Sequence, residues 1–299
     1  MKRKQAATLW LTVNGVILPD YKDNLSKKKP FCGAGFGIRG VPVDILPIFL
    51  LKAYSPGFAI LIVDEFYKFN SIDLEEISIA KKNFFACLQT LERVYSLRQD
   101  IIECSSFMHD ASYYSVVEGC QERIFRNGLE SLVRETVPES KRHNSSSLLY
   151  PVHEFACVLY LARHGFDLKI GPSSEKKYDS IMAAMEFPIE FAYLLDAYPL
   201  GTNQPMPVVH YVPRHVSANG TGQRIYFEDD EQIARQKLMQ ASEEGIRYFF
   251  NLATLSCFLR TGKILSNDEF LSYSSKRQRR CLGDYVVEHI LRSYQEASK

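Results

Sequence analysis

The chain has next to no net charge. Its 36 lysines and arginines nearly cancel 35 aspartates and glutamates, leaving +1 over 299 residues, so a polyanion would have to meet a local patch rather than a general field. Long apolar runs are also missing. None approaches the ~20 residues that a membrane-spanning helix needs, and no membrane partner is expected. The seven cysteines, Cys32, Cys87, Cys104, Cys120, Cys157, Cys257 and Cys281, are scattered. They form no C-x-x-C pair and stand beside no paired histidines, which argues against a zinc site and a disulfide framework alike; no metal is expected. There is no G-x-S-x-G, and the seven histidines have no flanking nucleophile pattern, against a Ser-His-Asp hydrolase. The opening MKRKQAATLWLTVNGVIL starts basic, but its apolar run is interrupted by Thr12, Asn14 and Gly15. A first strand over 9–18 is expected in place of a secretion signal, and the cytoplasm is the expected compartment.

What is present is a core of ample size, with 46% hydrophobic residues, and an alternation of strand and helix patterns. FAILIVDEF is apolar over 58–63 and ends in Asp64 and Glu65, as expected of a strand buried on both faces of a parallel sheet. Acids at that end sit where open α/β sheets bind ligands. Residues 74–97 carry Ile77, Ala80, Phe84, Leu88 and Leu91 at helical spacing. A strand is expected near 101–104, one long helix over 112–137, a polar loop over 138–147 and a helix over 151–163. FDLKI reads as a short strand, and a capped helix from GPSSEKKYD is expected to run on through AAMEFPIEF, placing Glu186 and Glu190 four residues apart on one helical face. PMPVVHYVP, with Tyr211, reads as another strand. Everything after about 226 reads as helix. The expected fold is α/β, a parallel sheet flanked by helices, with a catalytic domain over 1–225 and a helical extension over 226–299 packed on it.

Three segments carry candidate chemistry. FCGAGFGIRG, over 31–40, is glycine-rich between a strand start and a helix. It suits a tight turn, a phosphate cradle, or a stretch of backbone amides against which an ester carbonyl lies, with Gly33 and Gly35 as substrate contacts. Asp64, Glu65, Glu186 and Glu190 are acids in apolar surroundings that need cationic partners. Lys169 and Glu175 would line the same cleft if FDLKI ends at the sheet's carboxyl edge. KRQRR contributes Lys276, Arg277, Arg279 and Arg280 as a basic run suited to phosphates, with Lys27–Lys29 and Lys81–Lys82 as further cationic spots.

In order along the chain, the glycine-rich turn, a strand ending in Asp64, a long helix, Glu186-Phe187-Pro188 and then Tyr211 resemble the motifs of the cyclodipeptide synthases. That resemblance covers roughly residues 25–215 and leaves the C-terminal helices outside it. It implies a Rossmann-like domain similar to class I aminoacyl-tRNA synthetase catalytic domains. It also implies the joining of two aminoacyl groups delivered by tRNA, without ATP or another cofactor and without a protein partner, because the ester to tRNA already carries the activation. Carried over residue by residue, Glu186 and Tyr211 take the catalytic places. The family's serine in this turn has no counterpart in Gly33-Ala34-Gly35-Phe36, and its tyrosine before the glutamate falls on Met182. These departures make the chain more similar to the divergent fungal arginine-containing members. Their expected substrates are an arginyl-tRNA and a second aminoacyl-tRNA, with an acid among Asp64, Glu65 and Glu190 holding the guanidinium. Two other functions remain open: another α/β enzyme of specialised metabolism, such as an isocyanide synthase or a nucleotide-dependent transferase, and a binding module whose acids only pair with local cations.

Overall fold

A computed structural model describes residues 28–35, 40–66, 74–137, 145–172, 176–194, 224–262, 270 and 272–299. Five strands form one parallel sheet: β1 (Pro30–Ala34), β2 (Ala59–Ile62), β3 (Asp100–Glu103), β4 (Leu168–Pro172) and β5 (Glu190–Leu194), in the order β3-β2-β1-β4-β5. Helices α1 (Leu46–Tyr54) and α2 (Leu74–Tyr95) connect the first three strands. α3 (Ala111–Arg126), α4 (Glu130–Thr136) and α5 (Ser145–Arg163) lead to β4, and α6 (Lys176–Ala184) to β5. The C-terminal helices are α7 (Glu231–Leu238), α8 (Glu243–Thr261), α9 (Ser275–Val286) and α10 (Arg292–Ser298), with a π turn over Val287–Leu291 between the last two.

The period of two in the strands sorts side chains to two cores. Ile60 and Ile62 join Cys32 and Ala34 on one face, under α1, α2 and α8. Ala59 and Leu61 join Phe31 on the other, under α3, α5 and α6. The C-terminal helices therefore share a core with the strands. Tyr95 at the end of α2 meets Ser256 of α8 at 2.8 Å through their hydroxyls. Among the described residues no helix is long and apolar enough to cross a membrane, and all seven cysteines are free thiols.

Where helices stop explains two departures from expectation. The helix expected over 112–137 is broken at Gly128, whose φ of 61° lets its N–H reach Phe125 O while Leu129 N–H reaches Ile124 O. That is a Schellman cap, closing α3 before α4 begins. α6 ends in the same way at Ala184 and does not run through AAMEFPIEF. Glu186 takes the left-handed position with φ 56°, its N–H bonding Ala183 O at 2.9 Å, and Phe187 N–H bonds Met182 O at 3.2 Å. Pro188 cannot continue the helix. From Met185 to Glu190 burial then alternates, with Met185, Phe187 and Ile189 inside and Glu186, Pro188 and Glu190 outside. The two glutamates share a side because the chain is extended there, not because it is helical. The strand expectations at 9–18 and around Tyr211 lie outside the described residues.

Candidate active site

Parallel strands of this order leave a crevice where the connections turn in opposite directions, beyond the carboxyl ends of β1 and β4. The sequence keeps that place open. Gly33 is the penultimate residue of β1, and a Cβ built on it would meet nothing within 4 Å. Gly171 lies at the matching level of β4, one residue past the paired Cys32 and Ile170. Neither strand projects a side chain from these positions.

Beside the crevice, the ends of β2 and β3 are held together by one carboxylate. Asp64, 5% exposed, sits in a 3-10 turn over 64–66 directly after β2. Its Oδ1 accepts the Ser105 N–H at 3.0 Å, and its Oδ2 accepts the Ser105 hydroxyl at 2.5 Å and the Lys81 ammonium at 2.7 Å. Lys81 projects from α2 and also pairs with Glu103, the last residue of β3. Burial alone would raise the Asp64 carboxyl, but Lys81 and the two Ser105 donors hold it below its ordinary value. Lys81 is in turn held above the usual lysine value: burial opposes its charge, and Asp64 and Glu103 more than offset it. Glu65 stands next in the turn, its side chain 15% exposed, with the exposed His109 imidazole 3.9 Å away.

Glu186 and Glu190 do not join this cluster. Glu190 is the first residue of β5 and pairs in register with Leu168, the first of β4, so both glutamates lie at the amino edge of the sheet. A strand of four to five residues puts them about 15 Å from Asp64 along the strand direction. Glu190 pairs there with Lys28, and Glu186 is exposed. Lys169 does not line the cleft either. It is 4% exposed and bonds Asp179 of α6 at 3.1 Å within the core. Tyr211 and Glu175 lie outside the described residues.

The glycine-rich turn matches G-x-G-x-x-G over 35–40 letter for letter, although its third glycine does not open a helix as that fingerprint requires. Gly40 has φ 139°, and a Cβ there would fall 2.8 Å from Glu228 Oε2. Its neighbours pair with a later segment: Phe227 N–H bonds Val41 O, Val43 N–H bonds Ile225 O, and Glu228 accepts the Val41 N–H. α1 begins only at Leu46. Of the basic run, Lys276, Arg277 and Arg280 are exposed on the first turns of α9. Arg279 donates to Ala241 O at 3.0 Å, and Arg277 lies 3.7 Å above the Tyr273 ring.

Ser105 escaped sequence reasoning, and Lys81, read from sequence only as a cationic spot for phosphates, instead pairs with Asp64 and Glu103. Neither carries a motif, and only the strand order brings β2, β3 and the start of α2 to one point. The signal available was the acidic end of an apolar strand, Asp64 next to Glu65, which requires donors from somewhere.

No family model matches the chain, and no curated protein matches its sequence. Solved structures do match in fold. Tyrosyl-tRNA synthetase from Aeropyrum pernix superposes with a TM-score of 0.68 at 13% identity, over 99% of this chain and 95% of its own. Tyrosyl-tRNA synthetase from Archaeoglobus fulgidus, complexed with L-tyrosine, gives 0.67 at 16%, over 98% and 99%. Tryptophanyl-tRNA synthetase from Mycoplasma pneumoniae gives 0.61 at 14%, over 91% and 87%. The fold is that of the class I aminoacyl-tRNA synthetases, a Rossmann-like parallel sheet flanked by helices. The similarity runs through the C-terminal helices, beyond the 25–215 span of the motif resemblance.

Proposed function

We infer that the chain uses aminoacyl-tRNA and joins two aminoacyl groups into a cyclic dipeptide, one of them arginine. The observation that carries this is the glycine-opened crevice, with Asp64, Lys81, Ser105 and Glu65 clustered along the same carboxyl edge at the ends of β2 and β3, in a fold shared with enzymes named for tRNA aminoacylation. The amine of one aminoacyl group would attack the ester carbonyl of the other, forming a C–N bond as the ribose oxygen of the tRNA leaves with a proton. A second such attack closes the ring and releases the second tRNA. Positioning does most of the work, since both esters are already activated.

Both Asp64 oxygens are taken up by Lys81 and Ser105, so Asp64 shapes the rim and does not grip a substrate cation. Glu65, next in the turn and at the same edge, is the acid assigned to the arginyl guanidinium. Gly33 and Gly35 let the ester lie against the backbone. Tyr211 keeps the hydroxyl role that the resemblance gives it, whereas Glu186, at the far edge, is assigned no chemistry. The acceptor stem would meet Lys276, Arg277 and Arg280, with Arg279 supporting them from below.

Expression in a bacterial host followed by mass spectrometry of the medium tests this directly, because the host supplies charged tRNAs. A 2,5-diketopiperazine containing arginine is the expected product; its absence alongside folded protein overturns the assignment. Replacing Lys276, Arg277, Arg279 and Arg280 by glutamine should flatten the salt dependence of tRNA binding, each phosphate contact adding about one unit to the log–log slope. An unchanged slope would move the footprint elsewhere.

A further inference from the structure

The segment between β1 and α1 buries a polar cluster that the roles above do not use. Asp44 stands in the short 3-10 turn Val43–Ile45 that leads into α1, with 5% of its surface exposed. α1 runs from the carboxyl edge to the amino edge, where its Lys52 meets Phe58 O and Asp100, so Asp44 lies at the carboxyl edge. The pairing of Val43 N–H with Ile225 O brings Arg224 beside it, and α8 brings Tyr248, 6% exposed. Both face Asp44 and act on its carboxylate, Arg224 through its charge and Tyr248 through its hydroxyl, yet Asp44 Oδ1, Arg224 Nη2 and Tyr248 Oη are buried and none is satisfied by a well-formed hydrogen bond.

Three unpaired polar atoms at one buried point are costly, at roughly 1–3 kcal/mol for each such group, and in folded proteins such groups are satisfied by a bound molecule or serve a site. Their chemistry limits what fits. Asp44 accepts, Arg224 only donates, and Tyr248 does either. A carboxylate at the head of α1 opposes a phosphate, which would otherwise favour that helix end. A cationic amine beside a carbonyl complements all three, with the amine on Asp44, the carbonyl oxygen on Arg224, and Tyr248 bonding either. Arg224 is half-buried and is the member of the cluster that meets solvent, whereas Asp44 and Tyr248 are enclosed.

We propose that Asp44, Arg224 and Tyr248 form a subsite for the α-amino end of an aminoacyl group. This deepens the function proposed above and rests on it for the identity of the ligand. Burial drives the Asp44 carboxyl up to about 6, against the opposing pull of Arg224 and Tyr248.

The test is calorimetric titration of the full chain with L-argininamide and, as the blocked control, N-acetyl-L-argininamide. Wild type should bind the free amine at least about tenfold more tightly, the weight of one charge-assisted hydrogen bond. Asp44→Asn, which keeps shape and fold, should erase that preference, and Tyr248→Phe should weaken binding severalfold. Equal binding of both probes, no binding of either, or a preference that survives Asp44→Asn overturns the subsite; the last two would leave the cluster to a trapped water. Product formation in the bacterial host is read separately. Dipeptide made without amine discrimination removes the subsite and keeps the reaction, whereas amine discrimination without dipeptide keeps the subsite and removes the reaction.

Discussion

Lysine–carboxylate pairs stand at both edges of the sheet, and they differ in kind. At the amino edge Lys28 meets Glu190 and Lys52 meets Asp100, with the acid side chains 47% and 63% exposed. Water screens these pairs, and each holds the start of a strand at little net gain. At the carboxyl edge Asp64 is enclosed, and every described bond to it comes from β3's turn or α2. The same two residue types thus make a solvated tie at one edge and the frame of a crevice at the other. Enclosure decides the difference, since a buried carboxylate stripped of its donors, or donors stripped of their carboxylate, have no water to fall back on.

The sharpest way to break this comparison is to remove one carboxylate from each edge. Asp64→Ala strands the Ser105 N–H and leaves the partly enclosed Lys81 with Glu103 alone, and should cost about 2–3 kcal/mol in urea unfolding. Dipeptide formation should be lost with it. Glu190→Ala should cost under ~1 kcal/mol and leave product formation intact. Equal losses at both edges would mean that enclosure is not what separates them. The Asp64 carboxyl is held low, so its contribution is present above the ordinary value near 3.8 and is lost as pH falls through its lower folded value. The Asp64 variant should accordingly show a shallower acid-unfolding limb than wild type.

Asp44 sharpens the comparison by reversing its sign. Its folded value of about 6 exceeds the ordinary 3.8, so the folded state holds the proton more tightly. Stability is therefore lost as pH rises from about 4 to 6, and the loss persists above. The difference of about two units corresponds to roughly 3 kcal/mol. Asp44→Asn should be more stable than wild type by up to that amount at pH 7.5, should show no advantage below pH 4, and should still lose amine binding. A variant less stable at neutral pH would make Asp44 a structural acid like Asp64.

A further small effect belongs to the amino edge. Glu186→Gly relieves a left-handed glutamate in a cap where Gly128 already stands in the equivalent position of α3, and should raise stability by about 1 kcal/mol. Product formation should stay within about twofold, as it should for Glu186→Gln. A large loss in the glutamine variant would bring Glu186 back into the chemistry and count against the carboxyl-edge site.

The contrast between these two glutamates and Asp64 also shows how far the sequence could be read. Apolar runs with a period of two or none marked β2 and β4, and the 3.6 period of Ile77, Ala80, Phe84, Leu88 and Leu91 marked α2. Such patterns record burial, which is local to each element. A spacing of four is ambiguous, because i and i+4 share a side in a helix and in an extended chain alike. AAMEFPIEF was open to either, and the Schellman cap at Glu186 decided it. Gly128, within an Asn-Gly pair, was a legible stop signal inside 112–137, but the helical pattern on both sides of it masked the break.

By itself the sequence determined the two-sided burial of the strands, the α/β class, and the placing of Asp64 and Glu65 at a strand's carboxyl end. It also determined that the β1 turn holds no hydroxyl between Gly33 and Phe36. Only the tertiary structure decided which charged groups meet. Lys81 and Ser105 reach Asp64 because β2 and β3 are neighbours, Arg224 reaches Asp44 across 180 positions because 225–227 pair with 41–43, and Glu190 is kept from both by the direction of β5. Such partners are set by strand order and register, which no local periodicity encodes, because the energy that selects them comes from enclosing the sheet between its two helical layers.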